Sequence, residues 1–590
     1  MNRRTDFGIK YDLSDVKAAS DASFTPTHQK SFADIDLLLE DIQFDNQMTL
    51  EHNYCILDGT QDEFDDSPDD VAYFSSEMSD ENGNFSVNPT LTINFTINHS
   101  SIGLTFRFVE TYPASVNIKW YQNSTIIYNG TYEITELEYT IFQPVQNYNR
   151  IEVEFLKTAI PNRYIKLSFL RFGTLLHWNT EIVKTAKLVQ QQDIISKQLP
   201  INSLVFDIVD VVGATNIGNS EGIQQFFQKS QAMYPYEIID GTTIPLGKYY
   251  LDKFSNEKVL TKINAVSIIG LLDEAQFEEG EMYDGETAQN VIDSIMQVAG
   301  IEDYTIDEVT QEQLLYGTIS PTSCRNALQQ VLFACGSIID VTDVDKIHIK
   351  KMSGVIVDDI KKDTKFSTKV TKTSYVSGVK VKYNLYSLDE QNTGTSLTKG
   401  TYPAGTNKIV YNEPHINYAI TVGTITDSSL YYVVFTLAEE SEIEITADSY
   451  LKVENSIQSD RPFIEGGESV NVIEVSTNLC NYATAKALSQ KLLRYYGNRL
   501  ELNVKHLAFD SSMDCSHTIE NARQDMDNYI AMYTQRSLDL TGGMIDTAKL
   551  IGYFDDSAYY YYATDYDDPD AIEYYMDDPD VVEEIFRPII

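Results

Sequence analysis

The chain has 590 residues, enough for roughly three to five domains. With 88 acidic against 44 basic residues its formal net charge is −44, which argues against a surface built to grip DNA, RNA or anionic lipid, since those need clustered Lys and Arg. Hydrophobic residues make up 42%, with 39 Tyr and 26 Phe but only 2 Trp, a balance that suits half-buried pleated surfaces and predicts a mainly β protein.

The first residues, "MNRRTDFGIKYDLSDVKAAS", place two arginines before no apolar run, so they do not read as a signal peptide. No stretch reaches ~18 uninterrupted apolar residues, so no transmembrane segment is expected. Residues 32–60 read as a first short β-unit ending on "NYCILDGT", and residues 61–70, "QDEFDDSPDD", as an acidic boundary loop. Its Asp65, Asp66, Asp69 and Asp70 concentrate hard oxygen ligands of the kind Ca²⁺ takes, as does "DENGN" at 80–84, although neither fits a complete calcium loop and a solvated acidic loop is the plainer reading. No other cofactor is expected.

Residues 61–173 alternate as short strands. "NPTLTINFTINHSSIGLTFRF" puts Leu91, Ile93, Phe95 and Ile97 on one side of the polar gap 98–101 and Ile102, Leu104, Phe106 and Phe108 on the other, which predicts a hairpin. "ASVNIKWYQ" alternates through Val116, Ile118 and Trp120, and Asn129-Gly130 is a strong hairpin-turn signal. Further strands at "RIEVEFLKT" and "RYIKLSFLRFG" complete a β-sandwich or jelly roll. A sugar site on it would need exposed aromatics, for which Tyr112, Trp120 and Tyr121 are the candidates, though the alternation points Trp120 into the core. Four sequons, at Asn94, Asn98, Asn123 and Asn129, are what chance gives in so Asn- and Thr-rich a stretch.

Residues 174–280 are β again. Between 281 and 352 the period changes: "GETAQNVIDSIMQVAGI" spaces its apolar residues for a helix stopping at Gly300, and "SPTSCRNALQQVLFACG" for one capped by Ser323 and ended by Gly336. A hairpin follows, making an α/β unit. Residues 353–394 and 452–554 carry more strands and one helix opened by Asn481 and closed by Gly497, and 395–451 reads as a small inserted β-domain. Residues 555–590 are acidic and rich in Tyr, with "DDPD" at 567–570 and again at 577–580. This tail reads equally as disordered and as a docking segment, the latter through Tyr574, Tyr575, Ile585 and Phe586.

Five scattered cysteines give no CxxC and no disulfide framework, as in a protein folded in a reducing cytosol. None of the eight histidines stands in a metal-ligand spacing, and no nucleophile elbow, P-loop or dinucleotide fingerprint occurs. Carboxylate pairs fall at every spacing, so none marks a glycosidase. The expectation is a protein that is not an enzyme.

The order of the pieces carries a resemblance. "KQLPINSLVFDIVD", "PLGKYYLDKFS" and "VLTKINAVSIIGLLD" resemble the first barrel of the tail hub proteins of phages and prophages of Gram-positive bacteria. "YDGETAQNVIDSIMQVAGI" through "SIIDVTDVDKIHI" resembles the α/β domain that follows it, and "ATAKALSQKLLRYYGNRLELNVK" with "SLDLTGGMIDTAKLIGY" their closing region. The likeness covers roughly 32–60 and 174–552, and the 61–173 module looks like an inserted discoidin-type jelly roll. It implies a multidomain fold, mainly β with an α/β domain, in which hub-type β-barrels carry the inserted sandwich. It also implies a homotrimer at the tail tip or baseplate of a virion assembled in the host cytoplasm, with the tail tube or distal tail protein and receptor-binding proteins as partners. The acidity then fits a tube that lets DNA pass without holding its phosphates. Two rivals remain: an adhesion protein gripping a cell-surface glycan through the jelly roll, and a cell-wall hydrolase, which the lack of a catalytic signature disfavours.

Overall fold

The computed structural model describes residues 5–40, 51, 72–344, 346–352, 356–461, 469–507, 513, 516–521 and 527–554. The fold is mainly β and multidomain. Its spine is one 14-stranded sheet drawn from both ends of the chain. From one free edge the order runs Lys365–Lys372, Leu500–Leu507, Ile545–Phe554, Tyr529–Asp539, Val183–Gln191, Ser203–Val209, Leu260–Val266, Tyr249–Glu257, Ala232–Ile239, Thr5–Ser14 and Gly173–Asn179. Two cores sit on this sheet. One holds Ile9, Tyr11, Leu188, Phe206 and Ile263, and the other Leu502, Val504, Tyr533 and Leu550. They meet where Val183–Gln191 pairs antiparallel with Tyr529–Asp539, bringing Leu188 opposite Leu538. The alternation read in 203–209 and 260–266 follows from one buried face per strand.

Between Thr5–Ser14 and Gly173–Asn179, adjacent in the sheet, the chain leaves to build the sandwich. Val116, Ile118, Trp120, Ile151, Val153 and Phe155 all point into its core, as the alternation predicts. The expected hairpin at 90–108 is instead one 19-residue strand, Thr90–Phe108. Its first half pairs with 150–154 and its second with 138–145 of the 21-residue strand Glu138–Thr158, with register shifts between. Residues 98–101 are thus a bulged corner at which both strands pass from one layer of the sandwich to the other. The Asn129-Gly130 pair lies inside the strand Thr125–Glu133, with Gly130 opposite Ile118. The turn falls at 123–124, where Asn123 takes φ +56° and donates its N–H to Asn149 Oδ1 at 2.7 Å. Tertiary hydrogen bonding outweighs the local turn preference there.

The sandwich also begins upstream of 61. Ser23–Pro26 pairs with Thr90–Phe108, and Leu38 in the short 3-10 helix Ile35–Leu39 is fully buried in the sandwich core. Part of the chain before residue 61 therefore joins the sandwich, because its apolar side chains find their partners there.

In the α/β unit, Ala288–Ala299 is capped by Thr287 and ended by Gly300 at φ +68°, and Cys324–Cys335 is capped by Ser323 and ended by Gly336 at φ +64°. Tyr482–Tyr495 opens with a reciprocal capping box between Asn481 and Thr484. Its Lys491 donates to Gly336 O, and Lys351 donates to Cys335 O at 2.7 Å, so two ammonium groups meet the negative end of the helix 324–335. A long ribbon, Gly378–Leu388 with Ser441–Asp460, leads to the small inserted sheets of 395–437. Cys324, Cys335 and Cys480 are buried free thiols. No helix of the described residues is long and apolar enough to cross a membrane.

Candidate functional site

The joint between sandwich and sheet is built from the corner of the long strand. Residues 15–21 carry the chain from the sheet strand Thr5–Ser14 into the sandwich. Two carboxylates of that segment close on His99: Nδ1 lies 3.1 Å from Asp15 Oδ2 and Nε2 lies 2.9 Å from Asp21 Oδ2. Asp15 also accepts from Ser100 N at 3.2 Å, and Asp21 accepts from Thr96 N at 2.9 Å and Ile97 N at 3.0 Å. The Thr96 hydroxyl and the His99 ring hold the Asp21 carboxyl well below the usual carboxylate range. Phe95 packs on the His99 ring at 4.9 Å. Nearby, Ile102 enters the core of the sheet and Thr105 Oγ1 donates to Gly173 O at 2.8 Å. The polar gap that resembled a turn is therefore the latch fixing one module on the other. Its signal in the sequence was a single histidine in an otherwise Asn/Ser stretch, which periodicity cannot interpret.

The sugar-site candidates separate in space. Trp120 is fully buried, edge-on to Tyr128 at 5.7 Å, and offers no face to a sugar. Tyr112 is half-buried against the sandwich core. Tyr121 is 8% exposed on the outer face of the sheet, where the Arg150 guanidinium covers its ring at 3.7 Å. Its hydroxyl donates to Glu152 Oε2 at 3.2 Å, and Lys119 pairs with Glu152 Oε1 at 2.5 Å. The result is a level polar surface, with one cation stacked on one aromatic ring.

Asp65, Asp66, Asp69 and Asp70 lie outside the described residues, as do Tyr574, Tyr575, Ile585 and Phe586. In "DENGN", Asp80 Oδ1 accepts from Asn82 N at 2.8 Å and Asn84 N at 2.9 Å, an Asx turn that uses the carboxylate locally. Among the described residues no three His, Cys, Asp or Glu side chains converge as a metal set would.

A cleft of about 480 Å³ opens where the sheet meets the α/β unit, lined by Glu237, Asp340, Asp343, His348, Lys350 and Arg536 among others. Its charges are tied to one another. Lys350 pairs with Asp340 at 2.9 Å, His348 with Asp343 at 3.0 Å, and Arg536 Nε with buried Asp546 at 2.6 Å. Behind it, His506 stands 3.7 Å from Asp546 with both side chains at 0% exposure, so this histidine and carboxylate are closed to any substrate. Burial pushes the His506 ring below its ordinary range.

Among the described residues the main path of the sheet ends in two free edges. Of the described strands, Gly173–Asn179 bonds to Thr5–Ser14 alone, and Lys365–Lys372 to Leu500–Leu507 alone. The second is basic: 361–372 reads "KKDTKFSTKVTK", five lysines against one aspartate in a chain of net charge −44. Lys365 Nζ donates to Glu520 O. Lys361, Lys362, Lys369 and Lys372 have no ion-pair partner among the described residues, and Phe366 is 58% exposed beside them. That charge reversal is visible in the sequence; its place on an open strand edge is not.

Compared with known proteins, the chain matches no family model. No curated protein matches it either. Among solved structures it is similar to the tail protein from Neisseria meningitidis MC58, at 8% identity and a TM-score of 0.37 over 63% of this chain and 92% of that one. It is similar to prophage tail protein gp18 from Listeria monocytogenes EGD-e at 9% identity and a TM-score of 0.37, over 65% and 92% of the two chains. The 43 kDa tail protein of prophage MuSo2 from Shewanella oneidensis gives 9% and 0.36, over 64% and 94%.

Proposed function

We propose that this chain is a structural component of a phage tail or tail-like particle, a hub joining the tail tube to the tip and to host-recognition proteins. It works as a homotrimer in a particle assembled in the cytoplasm of a Gram-positive host. The observation that carries the reading is the continuous 14-stranded sheet, which knits residues 5–14 to residues 529–554 and leaves strand edges open at both ends. Such a sheet transmits position and load across the whole chain, and open edges call for cover in an assembled state. The sequence resemblance supplies the identity of the assembly. In this role the inserted sandwich, of discoidin type, is a decoration held by the His99 latch, and the chain itself breaks no bonds. Acidic surface facing a DNA channel would keep phosphates from sticking. The mass of the full chain in solution tests this: three times the chain mass is expected, and a strict monomer at high micromolar concentration would overturn it.

A second reading, a glycan-binding adhesion protein, draws on the outer face of the sandwich around Tyr121, Arg150 and Glu152, with Tyr112 at its rim. A glycan array probed with the full chain separates the two, since the hub reading requires no hit.

A further inference from the structure

The edge Lys365–Lys372 is the one place where an open strand, unpaired cations and an exposed aromatic coincide among the described residues. Lysines on an edge can simply repel another edge. Here four of them lie unpaired on a strongly acidic chain, a condition that an acidic occupant would relieve. The chain supplies one beside it. Residues 555–590 hold twelve Asp and Glu against a single Arg. They follow Phe554, the end of the strand Ile545–Phe554.

The registers place that starting point. Leu500 pairs with Gly552 on one side and with Lys372 on the other. The segment therefore starts at the Lys372 end of the edge, and a strand added beyond Lys365–Lys372 lies three strand spacings from Ile545–Phe554, roughly 14 Å. Both pairings are antiparallel, so Ile545–Phe554 and Lys365–Lys372 run in the same direction, and a chain turning back from Phe554 meets the edge antiparallel. The five steps from Phe554 through "DDSA" to Tyr559 span about 16 Å when extended at ~3.3 Å per residue, enough to cross. The next eight, "YYYYATDY" at 559–566, are rich in the aromatic and β-branched types that strands favour, and match the length of the edge. Beyond them come Asp567, Asp568 and Asp570, at the end where Lys361 and Lys362 stand.

We propose that residues 559–566 of the same chain add as an antiparallel strand to Lys365–Lys372, covering Phe366, with Asp555 and Asp556 beside Lys372 and the 565–570 carboxylates beside Lys361 and Lys362. The occupant is this chain's own segment: the linker is long enough, the direction is right, and the charges complement at both ends of the edge. The proposal does not depend on trimer formation, and it leaves Gly173–Asn179 as the edge that an assembly would cover.

Carbodiimide cross-linking of the full chain, prepared as an equal mixture of light and ¹⁵N-labelled protein, tests it. Cross-links from Asp555 or Asp556 to Lys372, and from 565–570 to Lys361 or Lys362, are expected within one isotope. Cross-links scattered evenly over the protein's lysines, or only between isotopes, would overturn it. Hydrogen exchange gives an independent reading. Backbone amides in 365–372 should exchange at least tenfold faster in a chain ending at Phe554 and in Lys361→Gln/Lys362→Gln/Lys369→Gln/Lys372→Gln, while those of 500–507 stay protected as proof of folding. Equal rates in 365–372 for the full and shortened chains would refute the added strand.

Discussion

His99 bonds two carboxylates from a segment that belongs to another module, so its removal does more than delete two hydrogen bonds. His99→Leu takes the ring partner from the buried Asp15 carboxylate and leaves Asp21 with only its Thr96 and Ile97 bonds, so a lower unfolding temperature is expected. Thermal unfolding measures the loss, and limited proteolysis should cut within 15–22 faster than in the wild type. Unchanged proteolysis there would mean that the latch does not hold the joint. Lys491 offers a pH test. Burial lowers its ammonium to about 8, against about 10.4 in an unfolded chain. Below about pH 8 both states are protonated and the fold bears the whole cost of the buried charge. Between about 8 and 10.4 the folded state has lost its proton and the unfolded state has not, so stability rises with pH, by at most about 3 kcal/mol. The stability of wild type relative to Lys491→Met, from urea unfolding at pH 7.5 and pH 10, should increase accordingly. A difference that is flat or falls with pH contradicts the assignment.

At the scale of elements, the helices were the most legible parts. Gly300, Ser323 and Gly336 stand where the sequence places a stop, a cap and a stop, because capping and left-handed glycine are satisfied within a single turn, while the Thr287 cap emerges only in the structure. Asn481→Ala removes the acceptor for Thr484 N at 3.0 Å and should cost about 1 kcal/mol by denaturant unfolding. A cost near zero would show that tertiary packing, not the cap, fixes the start of that helix. The strands were legible by face but not by connection. The alternation in 90–108 identified the buried side chains apart from Ile97, which is exposed at the corner, and mistook that corner for a turn, since a polar gap in an apolar run looks the same in either case. Asn129-Gly130 failed for the opposite reason: a strong local turn signal was overruled by pairing with 113–122 on one side.

For the whole molecule, Val183–Gln191 is the strand on which both halves of the sheet depend, being bonded to Ser203–Val209 and to Tyr529–Asp539 at once. Leu188→Ala empties a buried site in the core of Ile9, Phe206 and Ile263 and should cost about 2–4 kcal/mol. Because the partner strand Tyr529–Asp539 gives Leu538 to this core and Tyr533 to the other, calorimetry should show the loss as a shift of both halves together; a shift confined to one half would mean that the shared ladder does not couple them. Composition and periodicity were sufficient to determine the fold class, the inward faces of the strands, the helix limits and the acidic character, because each depends on residues a few positions apart. The tertiary structure alone decided that residues 5–14 and 529–554 lie in one sheet, that His99 meets Asp15 and Asp21, and that the lysines of 361–372 border an open edge. These are pairings between residues tens to hundreds of positions apart, set by which faces and edges find cover in three dimensions, and a local pattern holds no record of its distant partner.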